Sequence, residues 1–359
     1  MATANQQTHL FNGLTAIESG ILPSTRYQGS KYKILNWIDY YTGDLTFDSV
    51  LDAFGGTGCV GYMFKKKGKQ VFYNDSLKFN YHIGVALIEN PKTLLNDDDM
   101  DFILKKRSDF NYPTFIYDTF HDIYFTDREN KWLDVVTSNI ECIQNKYKRA
   151  LAYFSLFQAC IIKRPYNLFH RKNLYIRTAE VERSFGNKKT WDTPFENHFL
   201  KFIREANNAV FDNGKENLAY HSDIIDLKIP PIDLVYIDTP YISAKGGGVN
   251  YHDFYHFLEG LVHYNKWAEL IDRESKHKKM KNGKNEWCNK GEIHQAFERL
   301  FDKFKDSILV VSYRDDGTPT IKELVAMLEK HDKTVSVNKL EYKYVLSNEK
   351  SKEVLIIAK

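Results

Sequence analysis

Residues 51–61 have the sequence LDAFGGTGCVG, in which glycines follow directly after a short apolar run that starts at Ser49. An apolar run of this length that ends in glycines is typical of a buried strand that leads into a turn. Glycines there allow a tight turn and let a ligand approach the backbone closely. The stretch Cys59–Lys67, closed by Gly68, predicts a helix after the turn.

The elements on either side of this turn predict a parallel sheet with crossover helices. A strand over Gln70–Asn74 and a helix over Leu77–Glu89 complete a β-α-β-α opening. Residues from about 95 to 215 show no clear strand alternation. Further patterns predict the strands Asp233–Ile237 and Ser307–Ser312, the helices Ser30–Tyr41 and Ile321–Glu329, and a terminal hairpin of Thr334–Tyr344 and Glu353–Ala358. We therefore predict an α/β fold with one doubly wound, mostly parallel sheet, interrupted after its second helix by a long insertion.

The composition is that of a packed globular protein, with 43% hydrophobic and 27% charged residues. A net charge of only +3 means that any nucleic-acid footprint has to be a local basic patch. The four cysteines form no C-x-x-C pair, which gives no support for a metal site, and their scatter fits a reducing compartment. No apolar run is long enough for a membrane span, so we expect a cytoplasmic protein without a membrane partner.

The glycine turn by itself fits three interpretations. Gly56, Gly58 and Gly61 satisfy the pattern G-x-G-x-x-G, and Asp75 follows at about the distance of a ribose-binding acid in a dinucleotide site. A nicotinamide or flavin enzyme fits this arrangement. An S-adenosylmethionine site fits too, because an acidic residue after the second strand also binds the ribose hydroxyls there. A tight turn without a ligand is the third interpretation, since an isolated G-x-G-x-x-G is a weak signal.

A second candidate site follows the predicted strand Asp233–Ile237, where the chain continues as Asp238-Thr239-Pro240-Tyr241. Because ligands bind beyond the carboxyl ends of strands in an open α/β sheet, this tetrapeptide should share a cleft with the glycine turn. A carboxylate and a backbone carbonyl that accept from an aromatic amine can pull its nitrogen toward a pyramidal geometry and free its lone pair. Pro240 would stiffen the turn, and Tyr241 offers a flat face for an extruded base. On its own, the tetrapeptide fits an ordinary turn after a strand better.

Five motifs in one order resemble the D12 class of DNA adenine-N6 methyltransferases, the Dam-type enzymes. They are the aromatic-x-Gly-x-Lys segment Tyr27–Lys31, the F-x-G-x-G turn of Phe54, Gly56 and Gly58, the pair Asn74-Asp75, Asp223, and the tetrapeptide Asp238–Tyr241. The long insertion between Asp75 and Asp223 matches the α-group arrangement of that family. Its tetrapeptide is usually D-P-P-Y, and Thr239 replaces the first proline; the family uses the carbonyl of that residue, which any residue supplies. The dinucleotide interpretation accounts for only one of the five motifs.

The resemblance implies a Rossmann-like methyltransferase that transfers a methyl group from S-adenosylmethionine to a flipped-out adenine at a specific site in double-stranded DNA. It implies a catalytic domain of residues 1–95 and 216–359 and an inserted target-recognition domain of residues 96–215. The implied cofactor-binding residues are Tyr27 and Lys31 at the methionine end, Asp75 at the ribose and Asp223 at the adenine amine, together with Phe54, Gly56 and Gly58. Asp52 could meet the ammonium group of the cofactor or cap the turn. The implied catalytic residues are Asp238, Thr239, Pro240 and Tyr241.

Basic and aromatic residues alternate over Lys163–Asn173 (KRPYNLFHRKN), within the insertion. This composition suits phosphate contact and base stacking, and the family places its target-recognition module here. We therefore predict DNA contacts from Lys163, Arg164, Asn167, Arg171 and Lys172, against the alternative of a basic surface loop.

Other classes of function are disfavoured by particular residues. No cysteine follows a proline, which disfavours C5-cytosine methylation because that reaction needs a thiolate on a Pro-Cys turn. A dinucleotide oxidoreductase and a catalytically inactive DNA-binding protein remain as alternatives, and the intact Asp238 and Tyr241 argue against the second. A cognate restriction endonuclease, acting separately, could accompany such a methyltransferase.

Overall fold

The computed structural model describes residues 20–182, 188–243, 248–281, 285–342 and 351–359. Its strands are β1 Ser49–Asp52, β2 Gln70–Asp75, β3 Leu218–His221, β4 Leu234–Ile237, β5 Ile242–Ser243, β6 Ile308–Arg314, β7 Gly317–Thr318, β8 Val335–Tyr342 and β9 Ser351–Ala358. Seven of them form one sheet in the order β3-β2-β1-β4-β6-β9-β8, and β5 and β7 form a separate two-stranded ribbon.

Helices cover both faces of this sheet. They are α1 Leu35–Thr42, α2 Cys59–Lys66, α3 Lys78–Gly84, α4 Asp97–Leu104, α5 Phe115–Thr119, α6 Asp127–Glu141, α7 Lys146–Ile162, α8 Tyr175–Thr178, α9 Lys188–Asp192, α10 Phe195–Ala209, α11 Tyr251–Leu261, α12 Trp267–Leu270, α13 Ile293–Lys303 and α14 Ile321–Glu329. A 3₁₀ turn, Lys31–Ile34, precedes α1, and a π-helical turn, Val85–Glu89, continues α3.

The order of the strands defines where a ligand can bind. Strands β3, β2, β1, β4 and β6 run parallel, whereas β9 is antiparallel to β6 and β8 is antiparallel to β9. Strand order reverses between β1 and β4, and open α/β sheets bind ligands in the crevice at such a switch point. The register pairs Asp52 with Tyr236, so the turn after β1 and the tetrapeptide after β4 leave the sheet side by side.

Successive strand residues point to opposite faces of the sheet, and this alternation separates two hydrophobic cores. Val50 and Val71 belong to the core that includes apolar residues of α2, α6, α7 and α10. Leu51 and Phe72, their neighbours in sequence, belong to the core formed with α13 and α14. The short strands are apolar on both faces because helices cover them on both sides.

The helices of residues 96–215 contribute to the first of these cores. Helix α7 begins after Asn145, whose side chain accepts hydrogen bonds from the N–H groups of Tyr147 and Lys148, and it is buried from Ala150 to Ile161. Its apolar residues lie in the same core as Val50 of the central strand. The division into a catalytic and a target-recognition domain therefore stays a prediction about function, since both parts share one core.

The predicted α/β fold with its doubly wound sheet is confirmed, including the terminal antiparallel pair of strands. The predictions missed β3 and the β5–β7 ribbon. Strand β3 lies at the edge of the sheet and consists of four partly exposed residues, LAYH, which have too little apolar character to stand out. The turn of the terminal hairpin, residues 343–350, lies outside the described residues. No helix in the described ranges is both long and apolar enough to cross a bilayer.

Candidate active site

The glycine turn connects β1 to α2 and forms one wall of the site. The N–H of Gly55 donates to the carbonyl of Asn74 at 2.8 Å, which ties the turn to the end of β2. A side chain at Gly55 would overlap the ring of Tyr73. Gly58 starts α2 with a φ of 70°, a conformation that glycine adopts without strain. The glycines are therefore required by the close packing of this turn as well as by any ligand.

Asp52 and Asp75 end the two neighbouring strands β1 and β2. The Asp52 carboxylate accepts the N–H of Gly61 at 2.9 Å. Asp75 accepts the N–H groups of Gly56 and Leu77, at 2.9 and 2.8 Å, and the Asn80 amide at 3.1 Å. Burial raises the pKa of Asp52 to about 7 and that of Asp75 to about 6, and these hydrogen bonds oppose the rise. Both groups therefore titrate near neutral pH.

Asp238 ends β4 and lies in a cluster of polar side chains. Its Oδ1 atom accepts from Lys31 Nζ at 2.8 Å and from the Tyr241 hydroxyl at 2.9 Å. Lys31 is 6% exposed, also contacts the Tyr241 hydroxyl, and lies 3.4 Å from Glu353 on β9. Burial raises the pKa of Asp238; the charge of Lys31 opposes this rise and that of Glu353 adds to it. The lysine thus favours the ionised form of a carboxyl whose ionisation burial opposes.

The rest of the tetrapeptide is held by packing and by the β5–β7 ribbon. Tyr241 is buried, its ring packs edge-on against Tyr313, and its carbonyl accepts the N–H of Val249 at 3.1 Å. Thr239 is buried, and its hydroxyl has no hydrogen-bond partner among the described residues. The Tyr241 ring therefore packs within the protein, where the sequence had predicted a free face for an extruded base.

One cleft of about 740 Å³, open to solvent, joins these groups. Its walls include residues from the glycine turn, from the ends of β1, β2 and β4, and from α11: Tyr27, Lys31, Asp52, Phe54, Gly56, Asp75, Asn80, Asp238, Pro240 and Tyr251. The Oδ1 atom of Asn80 is buried in this wall without a hydrogen-bond partner in the described structure. A ligand with hydroxyl or ammonium donors, such as S-adenosylmethionine, fits this set of acceptors.

Most of the predicted cofactor residues meet in the cleft, with two exceptions. Gly58 starts α2 and Asp223 follows β3, and neither belongs to the cleft wall. Asp223 is exposed and accepts the N–H of Ile225 at 2.9 Å. Tyr27 stacks on Tyr255 with ring centroids 4.4 Å apart. The cofactor roles of all these residues stay predictions, and Gly58 and Asp223 are the two that the cleft does not bring together with the others.

Two of the predicted DNA-contact residues are buried in the structure. Lys163 is 1% exposed, forms an ion pair with Glu129 at 2.8 Å and donates to the carbonyl of Trp191. Arg164 is also 1% exposed and is enclosed by backbone carbonyls and aromatic rings. Their charges are satisfied inside the protein, so neither side chain can reach a phosphate.

The other three predicted DNA residues lie nearer the surface. Arg171 and Lys172 are exposed, and Asn167 is partly exposed. Tyr166, which was not among the predicted contacts, is 63% exposed. Tyr166 and Asn167 both have a φ of 60°, a conformation that costs energy in residues other than glycine.

The sequence predictions missed several residues of the site, and three of them are important for the argument below. Asn80 and Tyr251 line the cleft, and Glu353 contacts Lys31 from the far side of the sheet. A signal for Glu353 was present, because it is the one acidic residue at the head of the apolar run EVLIIA. Asn80 and Tyr251 lie on helices among other polar and aromatic residues, so their sequence context carries no such signal.

Comparison with known proteins identifies the family. Residues 27–314 match the model of the D12 class N6 adenine-specific DNA methyltransferases. The chain is 30% identical, over 92% of its length and 95% of the relative, to the Type II methyltransferase M2.HphI of Haemophilus parahaemolyticus. It is 25% identical, over 86% of its length and 88% of the relative, to the Type II methyltransferase M.NlaIII of Neisseria lactamica. It also matches half the length of the Type II methyltransferase M.FokI of Planomicrobium okeanokoites, at 24% identity. The chain therefore belongs to the D12 class of N6 adenine-specific DNA methyltransferases.

Proposed function

We propose that this DNA adenine methyltransferase takes its methyl group from S-adenosylmethionine and transfers it to the N6 amine of an adenine that has left the duplex, at a specific sequence. One observation carries the proposal. The Asp238 carboxylate opens into the same cleft as the carboxylates of Asp52 and Asp75. A cationic, ribose-containing methyl donor and the amine that receives the methyl can therefore meet in one place.

The cleft has acceptors for the ribose hydroxyls and the ammonium group of the cofactor. Asp75 and the unpaired Oδ1 atom of Asn80 would bind the ribose hydroxyls, and Asp52 would face the ammonium group. When bound, S-adenosylmethionine supplies a methyl group that its positively charged sulfur already activates, so no covalent enzyme intermediate is needed.

Asp238 acts on the amine. Its carboxylate would accept one N–H of the adenine amine, and the carbonyl of Thr239 would accept the other, which frees the nitrogen lone pair. The amine nitrogen would bond to the methyl carbon as the bond between sulfur and that carbon breaks, which leaves the neutral demethylated product, and the proton that the nitrogen then loses would pass to solvent. The negative charge of Asp238 stabilises the positive charge on nitrogen between these two events. The charge of Lys31 favours the ionised form of Asp238 before the base arrives, because it lowers the pKa of that carboxyl.

The position of Asp238 supports a mechanism in which the base leaves the helix. The Asp238 side chain is only 18% exposed and lines the cleft at the switch point. A base that remains stacked in duplex DNA cannot reach such a group, and enzymes that modify bases solve this problem by extruding the nucleotide.

The loop after α7 is the DNA-contacting surface in this proposal, with a corrected set of residues. Arg164 lies beneath the loop and donates to the carbonyls of Leu168 and Arg171 and to the side chain of Asn173. Above it, Tyr166, Arg171 and Lys172 are exposed to solvent. The two cations would contact phosphates, and the tyrosine ring would stack on bases. Arg164 thus supports the DNA surface without being part of it.

The relatives named Type II methyltransferases favour a role in restriction and modification. We propose that the enzyme protects DNA from a cognate endonuclease that acts as a separate protein. DNA isolated from cells that express the enzyme should then resist cleavage at one short sequence.

The direct test is methyl transfer by the purified protein. Incubation with S-adenosylmethionine and duplex DNA should produce N6-methyladenine at one sequence context, read by sequencing that detects the modified base. Methylation of cytosine would contradict the proposal, as would the absence of any modified base with a panel of DNA substrates.

A further inference from the structure

The Lys31 ammonium lies between two carboxylates from distant parts of the chain. It is 2.8 Å from Asp238 Oδ1 and 3.4 Å from Glu353 Oε1. Glu353 is 1% exposed, and the Ser312 hydroxyl of β6 donates to the same Oε1 atom at 2.9 Å. A carboxylate this deeply buried is costly unless it is paired, and Lys31 supplies the opposite charge.

The catalytic role of Asp238 conflicts with its contacts in the structure. Its Oδ1 atom already accepts from Lys31 and from the Tyr241 hydroxyl. An adenine amine that binds Asp238 has to compete with these donors. The buried ammonium of Lys31 can loosen from Asp238 only if another anion takes over its charge, because an unpaired buried charge is strongly unfavourable.

We infer that Glu353 is a positioning residue that gives Lys31 a second ion-pair partner. Lys31 can then release Asp238, which becomes available to accept from the adenine amine, while the lysine remains paired with Glu353. This inference rests on the proposed function of Asp238. The distance of 3.4 Å to Glu353 means that a small movement of the ammonium exchanges one carboxylate for the other. Strand β9 fixes Glu353 by pairing along β6, opposite Arg314 in the register.

Charge also links Glu353 to the protonation of Asp238. The ionisable groups that act on Asp238, or on which it acts, are Lys31, Glu353, Tyr241, Asp52, Tyr236 and Tyr251. Among them, Glu353 raises the pKa of Asp238 and Lys31 lowers it. Loss of the Glu353 charge should therefore lower the pKa of Asp238 and strengthen the hold of Lys31 on Asp238.

The test is Glu353→Gln, which keeps the shape of the side chain and removes its charge. We expect a fall in kcat of about 10-fold or more, with a Kd for S-adenosylmethionine within about 2-fold of wild type. The acid limb of kcat/KM, which reports the free enzyme, should move to lower pH. Glu298→Gln, the control, makes the same change on α13, where Glu298 is half exposed and pairs with Lys330. It should alter neither kcat nor the acid limb of the pH profile of kcat/KM.

Each other outcome has a defined meaning. Wild-type kcat with an unmoved limb in Glu353→Gln overturns the inference, and so does a loss of kcat that follows a loss of cofactor affinity. If Glu353→Gln does not fold, Glu353→Asp is the test variant, since it keeps the negative charge but moves the carboxylate away from Lys31 by one methylene group. That variant should be slower than wild type with an acid limb close to normal, and full activity would refute the inference. Failure of the proposed function is distinguishable, because the wild-type enzyme would then produce no N6-methyladenine.

Discussion

At the scale of single residues, the site depends on carboxyl groups whose charge burial opposes. Asp52, Asp75 and Asp238 each follow a strand of the parallel sheet, and burial raises the pKa of each. Among the three, Asp238 is the one that pairs with a buried lysine in the described structure. In the proposed mechanism Asp238 is also the carboxylate that has to be an anion during the transfer, so the ion pair favours the form that the proposal requires.

Asp238→Asn is the most direct test of that assignment. The amide can still accept through its oxygen, but it carries no charge and can turn its NH₂ toward the base. We expect a loss of about 100-fold or more in the rate of methyl transfer, with cofactor binding nearly unchanged. Single-turnover transfer of labelled methyl to duplex DNA measures this rate. A fully active variant would refute the role of Asp238.

Tyr241→Phe tests the hydroxyl apart from the ring. The Tyr241 hydroxyl donates to Asp238 at 2.9 Å and lowers its pKa, so removing it should raise the pKa of Asp238. Since activity is lost as Asp238 takes up a proton, the acid limb of kcat/KM should move to higher pH. This shift is opposite in sign to the one expected for Glu353→Gln. Tyr241→Ala should be slower still, because it also removes the ring that packs on Tyr313.

Cofactor affinity should depend on pH through Asp52 and Asp75. Their pKa values of about 7 and about 6 mean that both groups take up protons as the pH falls below neutral. An ammonium or hydroxyl donor prefers the ionised form, so affinity for S-adenosylmethionine should fall from pH 8 to pH 5, by at most roughly tenfold per pH unit for each group. Calorimetric titration at several pH values measures this slope, and Asp52→Asn should flatten it near pH 7. A slope that Asp52→Asn leaves unchanged would exclude Asp52 as its source.

At the scale of elements, the segment that follows α7 contains two arginines in different environments, one buried and one exposed. Arg164 points inward and is surrounded by the carbonyls of Tyr124, Leu168 and Arg171 and by two aromatic rings. Arg171, seven residues later, is exposed. One arginine stabilises the loop and the other is available to DNA, although both belong to one basic run of the sequence.

Alanine variants of these two arginines should therefore fail in different ways. Arg164→Ala leaves several buried acceptors unpaired and should lower the free energy of unfolding by about 3 kcal/mol. Arg171→Ala should change stability by less than about 0.5 kcal/mol, yet reduce the slope of log affinity for DNA against log salt by about one unit. Denaturant unfolding and binding at several salt concentrations measure both quantities. An unchanged salt slope for Arg171→Ala would exclude that residue from the DNA surface.

At the scale of the whole molecule, one sheet brings the two halves of the site together. The glycine turn and Asp238 are almost 200 residues apart in sequence, but β1 and β4 are hydrogen-bonded neighbours. The insertion between them adds helices to the core beneath the sheet, and it carries the exposed loop of Tyr166, Arg171 and Lys172. DNA binding and catalysis therefore depend on the stability of the same core.

A ligand that binds this site should stabilise the whole fold. S-adenosylmethionine at 100 times its Kd should add about 2.7 kcal/mol to the free energy of unfolding, and NAD should add nothing. Thermal unfolding with each ligand separates the methyltransferase from the dinucleotide interpretation of the G-x-G-x-x-G turn. Stabilisation by NAD alone would contradict the proposed cofactor.

The sequence by itself determined the class of fold, the family and the motifs that meet in the cleft. Its short apolar runs, the glycine turn and the tetrapeptide are local patterns, because backbone conformation and strand burial act over a few neighbouring residues. The carboxyl ends of parallel strands meet at one edge, so motifs that follow those strands had to converge, and Asp52, Asp75 and Asp238 do converge.

Only the tertiary structure decided which charged residues face solvent and which pair inside. Lys163 and Arg164 have the sequence context of a DNA-binding loop, but partners brought in by other helices and loops bury them. Glu353 reaches Lys31 across more than 300 residues of chain, through the antiparallel pairing of β9 with β6. The physical reason is that contacts with segments far away in sequence determine whether a charged side chain is buried or exposed. A local sequence pattern does not specify those contacts.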